Sequence, residues 1–254
     1  TLEVRLTADP RRVTLDPIVA QGAPRQCGGD LLNMSQAATL WDEARKALFS
    51  ATLAAESGRY RFVTETRERR VSLRGGQVLS DGTTRHTSVG LPFKPMAADS
   101  LVDGSYVVMT PQQVIVNGVD AYAILSDAFL RHHCFGVRDG GRERPGMIGL
   151  EFVPLANRVQ PDVRGVLWMD RATAELSFVE YGYTGLRFRG PVHRLTGHMS
   201  FTRLPSGVWV TDSWQLTAPM LSAEREPTVV LDMRRYRLWA LNERSARIVS
   251  IETQ

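Results

Sequence analysis

His132, His133 and Cys134 form the most suggestive cluster of reactive side chains in this sequence. Imidazoles and a thiolate are good zinc ligands, but a site needs at least three ligands that converge on the metal. His193 or His198 could complete the set. Adjacent histidines on a helix, however, point about 100° apart. The cluster therefore supports only an alternative hypothesis, a metalloenzyme built around His132 and His133.

Ser126 and Asp127 precede these histidines and raise the related hypothesis of a hydrolase. A Ser–His–Asp triad is recognised by its geometry, and a polar helix face explains the same residues more simply. No P-loop, GxSxG, HExxH or GxGxxG motif is present. The sequence thus points to no catalytic residue and no cofactor, and it leans away from an enzyme.

The composition is that of a folded globular protein. Of the 254 residues, 43% are hydrophobic and 23% are charged. No apolar run approaches the roughly 20 residues that a transmembrane helix needs. The net charge is only +4, and the arginine clusters are interleaved with acidic or apolar residues, so we expect no nucleic-acid partner.

Two amphipathic helices are predicted. The first spans about 34–56, with Asn33 as its N-cap and Gly58 as its stop. The second begins at Asp120, a good N-cap, and ends near His133. Each carries an apolar stripe at helical spacing, so each must cover an apolar surface.

Most of the remaining chain alternates with a period of two and predicts ten to twelve strands joined by short turns. Gly75–Gly76 and Asp81–Gly82 are interpreted as turns, 86–104 as a surface loop or lid, and 229–241 and 246–251 as the last two strands. The predicted fold is α+β and β-rich: a large, curved, mainly antiparallel sheet, resembling an incomplete barrel, packed on the two helices.

Several segments resemble a group of bacterial envelope proteins that are labelled as containing a carboxypeptidase regulatory-like domain. The segments are 40–48 (LWDEARKAL), 125–137 (LSDAFLRHHCFGV), 146–154 (GMIGLEFVP), 161–186 (PDVRGVLWMDRATAELSFVEYGYTGL) and 197–214 (GHMSFTRLPSGVWVTDSW). In such proteins a small β-sandwich comes first. The resemblance implies that residues 1–26 are the terminal strand and linker of a sandwich, and that 27–254 form a single β-rich domain. Residues 13–22 also resemble the segment before the plug of TonB-dependent outer-membrane receptors.

A second resemblance concerns the fold. The strand 165–170 (GVLWMD), followed by 173–178 (TAELSF), is similar to a hairpin of lipoprotein carriers of the LolA and LolB type. These proteins hold acyl chains between an incomplete barrel and a helical lid. The two resemblances together imply an exported protein, periplasmic or associated with the outer membrane.

Cys27 and Cys134 are the only cysteines, and their spacing is not that of a metal finger. In an exported protein two distant cysteines most simply form one disulfide. In the cytosol they would be two buried thiols. Because the resemblances imply export, we expect the disulfide.

The expected function is non-catalytic: a binding or adaptor module for an apolar small molecule or lipid, or one that docks to an outer-membrane protein. Aromatic side chains can serve a cavity as well as a core. The residues expected to contact a ligand are Trp41, Phe93, Met96, Trp168 and Trp214. A purely structural spacer is the remaining alternative, and it predicts no pocket.

Overall fold

A computed structural model of the chain describes residues 27, 31–90, 93, 106–109, 114–158, 160–223 and 232–253. The predicted linker at 1–26 therefore lies outside the described residues. Within them the chain forms three α-helices, α1 (Leu31–Glu56), α2 (Ala121–Leu125) and α3 (Asp127–His132). The strands are β1 (Tyr60–Ser72), β2 (Val78–Val89), β3 (Val107–Met109), β4 (Val114–Val116), β5 (His133–Asp139), β6 (Met147–Pro154), β7 (Asp162–Asp170), β8 (Leu176–Thr184), β9 (Thr196–Arg203), β10 (Trp209–Ala223) and β11 (Tyr236–Thr253).

Nine strands form one antiparallel sheet in the order β2-β1-β11-β10-β9-β8-β7-β6-β5, and β3 pairs with β4 alone. The sheet is open, with β2 and β5 at its edges. Bulges bend a strand and increase its twist, and the register shifts at Val63/Thr64, Arg70/Val71, Trp168/Met169, Thr211/Ser213 and Met220/Leu221. The predicted fold, a curved, β-rich α+β sheet packed on helices, is confirmed.

The helix α1 crosses one face of the sheet, touching β5, β6, β8 and β10. We call this the inner face, and the opposite one the outer face. The apolar stripe of α1, which includes Leu40, Trp41 and Leu48, is buried there in one core with Phe152 and Leu167. A smaller cluster, in which Ala54 of α1 is buried with Phe62 of β1 and Val210 of β10, extends the covered surface beyond β9.

The predicted helices are confirmed with corrected ends. The first begins at Leu31, so Asn33 lies inside its first turn and is not its cap, whereas Gly58 (φ +66°) does follow its end. Asp120 caps α2 by accepting from the backbone N–H of Ala123 at 2.7 Å. The second predicted helix is divided in two at Ser126, whose extended backbone ends α2 and whose side chain caps α3.

Two strand predictions were wrong. Asp81–Gly82 is not a turn but part of β2, where Asp81 pairs with Arg69 across the ladder and forms a salt bridge with Arg67. The turn is at Gly75–Gly76, where both glycines have a positive φ. The predicted strands at 229–241 and 246–251 are, from Tyr236 onward, one strand, β11, which stays continuous because β1 and β10 hydrogen-bond to it on both sides. The residues just before it, Met233–Arg235, form a 3-10 turn. The strand β5 was not predicted.

No helix among the described residues has the length and apolar character required to cross a membrane.

Candidate functional site

A cavity of about 630 Å³ lies between the inner face and the parts of the chain that cover it. Its floor belongs to β1, β2, β8, β9, β10 and β11. Its roof is the last two turns of α1, the segment 116–122 and Phe93. The cavity thus lies at the C-terminal end of α1.

The floor is built from residues that face one another across neighbouring strands. Trp214 pairs with Met199 on one side and with Ala246 on the other, and Ala246 pairs with Thr66. Paired residues of antiparallel strands point to the same face, so all four lie on the inner face. The short side chains of Ala246 and Thr66 leave room beside the indole of Trp214.

The part of the roof that belongs to α1 is made of small side chains. Ala51 and Ala55 of α1 line the cavity together with Thr52. Phe93 covers the floor from the other side, with its ring edge-on to that of Trp214 at a centroid distance of 6.4 Å. Phe62 and Val210, which pack with Ala54 of α1, also line the cavity. Most of the wall near α1 is therefore apolar.

Two tyrosines of β8 hold the roof segment in place. The hydroxyl of Tyr181 accepts from the backbone N–H of Val119 at 2.8 Å, and that of Tyr183 donates to the carbonyl oxygen of Asn117 at 2.6 Å. Burial is the largest cause that raises the pKa of each phenol well above its usual range. Both hydroxyls therefore stay protonated, and each holds the roof segment by one hydrogen bond.

The wall also has polar positions. His86 and Ser88 on β2 line the cavity opposite Thr64 and Phe62, and the hydroxyl of Ser88 is buried without a hydrogen-bond partner among the described residues. Tyr122 lies in the roof, where burial and then the neighbouring Glu56 carboxylate raise its pKa to about 12. Arg244 stands at the far end of the floor, beside Leu216. The cavity thus joins an apolar interior to a more polar rim.

The structure places two of the five expected ligand contacts in this cavity. Phe93 and Trp214 line it. Trp41 does not, since it is 8% exposed and packs in the core against Phe135 at a centroid distance of 5.5 Å. Met96 lies outside the described residues.

Trp168 lies on the outer face, so it does not contact the cavity. Its indole N–H donates to Glu180 at 2.8 Å, and the guanidinium of Arg144, which pairs with the same carboxylate, lies 5.1 Å from the ring centroid. Gly149 leaves space beside this ring, because a Cβ there would overlap the side chain of Val166 and meet the ring of Trp168 at 3.0 Å. This tryptophan is a structural residue of the outer face.

The histidine cluster does not have the geometry of a metal site. His133 is buried, with Nδ1 2.9 Å from the carbonyl oxygen of Phe129 and Nε2 3.0 Å from that of Val163. Both ring nitrogens therefore already face protein oxygens, and Cys134 is bonded to Cys27. His132 lies beside the same group, near Arg158 and Asp162, and burial is the main cause that lowers its pKa. No three His, Cys, Asp or Glu side chains in the described ranges are close enough to hold a metal ion together.

His133 instead belongs to a buried charged cluster. Asp162, 1% exposed, lies 3.3 Å from Nε2 and also pairs with Arg158 at 2.6 Å. The cluster fastens α3 and β5 to β7. Ser126 lies near the same cluster, but its hydroxyl accepts from the backbone N–H of Phe129 as the cap of α3 and donates to the carbonyl oxygen of Ala123 at 2.7 Å.

Cys27 and Cys134 are joined by a disulfide, as predicted, with their Cα atoms 5.5 Å apart. The bond ties the chain before α1 to the edge strand β5. It therefore holds the N-terminal end of α1 close to the sheet, at the end opposite to the cavity.

Sequence reasoning missed most of the residues that line the cavity. Small and polar side chains carry no signal of a cavity when they are read singly. The available signal was the two-residue period of β1, which puts Phe62, Thr64 and Thr66 on one face, facing alternate residues of β2.

No protein-family model matches the chain, and no curated protein does. Among solved structures, a DUF1329 family protein from Desulfovibrio piger is similar, with a TM-score of 0.33 and 10% identity over 84% of this chain and 92% of that one. A LolA superfamily protein from Nitrosomonas europaea has a TM-score of 0.32 and 10% identity, over 84% of this chain and 94% of that one. Likeness at this level shows nothing about function.

Proposed function

We propose that this protein is a non-catalytic binding module that holds an apolar ligand in the cavity between the inner face and α1. The observation that carries the proposal is the cavity itself: about 630 Å³ beside Trp214 that no described side chain fills. Cavities of about 300–1,000 Å³ are the usual size for small-molecule sites. The spacer alternative predicts no pocket and is therefore disfavoured.

The character of the wall supports an apolar ligand. Next to α1 the wall consists of Ala51, Ala55, Phe62 and Val210, with Trp214 and Met199 on the floor. Water in such a space cannot form its full set of hydrogen bonds, so an apolar ligand that displaces it gains the free energy of burial, about 25 cal/mol per Å². The few polar groups could orient the ligand.

The cavity is also largely formed before a ligand arrives. The hydrogen bonds of Tyr181 and Tyr183 hold segment 117–119 over the floor. A preformed site loses less conformational entropy on binding. Export to an oxidising compartment is part of the proposal, supported by the Cys27–Cys134 disulfide.

The test is a titration with the apolar fluorophore N-phenyl-1-naphthylamine, whose emission rises in apolar surroundings. When tryptophan is excited, energy transfer from Trp214, which lines the cavity, to the bound fluorophore gives a second signal that depends on the distance between them. We expect saturable binding and a loss of at least about tenfold in affinity for Ala55→Phe, because the new ring enters the cavity.

The matched control is Ala38→Phe, which puts the same ring on the exposed face of the same helix, away from the cavity. Equal affinity of the two variants would place the fluorophore elsewhere and overturn the proposal, as would the absence of saturable binding to the wild type. Urea unfolding checks that both variants are folded.

A further inference from the structure

Arg244 differs from most arginines of this sheet in having no partner among the residues that the structure describes. On the outer face of the same strand, Arg247 pairs with Glu65 at 2.8 Å, and elsewhere Arg67 pairs with Asp81 and Arg203 with Glu175. Within the described part of the chain, the side chain of Arg244 makes no hydrogen bond and no ion pair. It lines the cavity and is exposed to solvent.

The register fixes the direction of this side chain. Arg244 is two residues from Ala246, so both lie on the inner face. Its partner on β10 is Leu216, which also lines the cavity. The guanidinium is therefore at the solvent end of the same floor whose middle is formed by Ala246 and Trp214.

The acidic groups nearby are already engaged. Glu68, the partner of Arg244 on β1, accepts from the side-chain amide of Asn242 at 3.0 Å and lies 3.5 Å from Arg70. Asp120, which also lines the cavity, accepts from the backbone N–H of Ala123. Neither one forms a salt bridge with Arg244, so its donors are available to a ligand.

We propose that the cavity binds an anionic amphiphile, with its carboxylate or phosphate head at Arg244 and its apolar tail beside Trp214. This inference rests on the proposed function and adds the chemical class of the ligand. A guanidinium has five N–H donors in a planar fork that matches both kinds of head group. At the rim it forms a charge-assisted hydrogen bond while remaining hydrated, so it is not buried without a partner.

The experiment compares three ligands with one tail: dodecanoate, monododecyl phosphate and 1-dodecanol, each displacing N-phenyl-1-naphthylamine from the wild type, from Arg244→Gln and from Arg247→Gln. The second variant removes the same charge from the same strand, but on the outer face. We expect the wild type to bind at least one of the two anions about fivefold more tightly than the alcohol. Arg244→Gln should abolish this preference without weakening binding of the alcohol, and Arg247→Gln should keep it. The preference should also shrink at about 0.5 M salt, because exposed charges are screened there.

The outcomes separate the two proposals. If the alcohol binds as tightly as both anions, or if Arg244→Gln keeps the preference, the head-group assignment is overturned while the apolar site stands. If none of the three ligands displaces the fluorophore, both proposals fail. A preference for only one of the anions identifies the head group as carboxylate or phosphate.

Discussion

The ring of Tyr181 on β8 occupies the space that a side chain at Gly197 on β9 would need. The two residues are direct partners across the ladder, and a Cβ on Gly197 would overlap the hydroxyl end of the ring. The same hydroxyl accepts from the backbone N–H of Val119. The glycine therefore allows a tyrosine to lie across the inner face and reach the roof of the cavity.

Gly197→Ala should destabilise the protein by about 1–3 kcal/mol, the usual cost of overpacking. The new methyl group must push Tyr181 away from Val119. Urea unfolding measures the loss, and Gly182→Ala on β8 is the control, because its Cβ would find its nearest neighbour, Leu195 O, at 3.7 Å. Equal losses for the two variants would contradict the packing argument.

Tyr181→Phe should leave the Val119 N–H buried without an acceptor, which costs about 1–3 kcal/mol. Hydrogen exchange at the backbone N–H of Val119 should become faster than in the wild type, because the roof segment loses one of the two hydrogen bonds that hold it. Tyr236→Phe, at a half-buried tyrosine of β11, serves as the control and should leave that exchange unchanged. Unchanged exchange in Tyr181→Phe would show that the hydrogen bond does not hold the roof.

Asp162→Asn should lower the free energy of unfolding by about 3–5 kcal/mol, because it leaves Arg158 and His133 without their shared carboxylate in a buried site. Asp42→Asn is the control. That carboxylate is 61% exposed and lies 3.8 Å from Arg45, so its loss should cost less than about 1 kcal/mol. Chemical denaturation of both variants measures the difference, and a small effect at Asp162 would mean that the cluster is not a structural fastener.

Reduction of the Cys27–Cys134 disulfide, which spans 107 residues, should lower stability by about 4–5 kcal/mol in the chain-entropy model. The measurement is urea unfolding with and without dithiothreitol. The double variant Cys27→Ser, Cys134→Ser should resemble the reduced protein and should not respond to reductant. Identical curves for oxidised and reduced wild type would contradict the expectation.

Stability should fall as the pH drops below about 6.5, the usual pKa of histidine. Burial is the largest cause that lowers the pKa of His198. The charge of Arg144 lowers this pKa further, whereas the charges of Glu180 and Asp212 raise it. The unfolded chain then binds a proton at a pH at which the folded protein does not. The contribution of His198 to the free energy of unfolding is therefore present above the pKa that this histidine has in the unfolded chain. It is lost as the pH falls from that pKa towards the lower pKa of the folded protein.

The test is to measure the free energy of unfolding by urea at about pH 7.5 and pH 5.5. Between these two pH values, His198→Asn should lose less of this free energy than the wild type. His132, whose pKa burial also lowers, accounts for part of what remains. The exposed His193, replaced in the same way, is the control. An unchanged loss in His198→Asn would remove that histidine from the explanation.

The helices and many of the strands could be predicted from the sequence because their signals are local. The cap at Asp120, the stop at Gly58 and the turn at Gly75–Gly76 depend on residues a few positions apart. Asp81–Gly82 shows the limit of such signals. A turn-forming pair stays in a strand when a neighbouring strand supplies its hydrogen bonds and Arg67 supplies a salt bridge.

Trp168 and Trp214 show the same limit for the site. Both are tryptophans on strands with a two-residue period, and the period tells which residues share a face but not which face lies under α1. The structure puts Trp214 on the inner face beside the cavity and Trp168 on the outer face under Arg144. That choice depends on the register of all nine strands and on the path of α1.

The sequence by itself determined the fold class and the presence of both helical regions, since composition and periodicity are sufficient for these, and it shows no recognisable catalytic motif. The disulfide was expected from the two cysteines together with the resemblances that imply export. Only the tertiary structure decided that a cavity exists and where Arg244 stands in it. A cavity is a space between residues distant in the chain, here Ala55, Trp214 and Arg244. Its volume depends on how far the curved sheet stands from the helix, which no local pattern encodes.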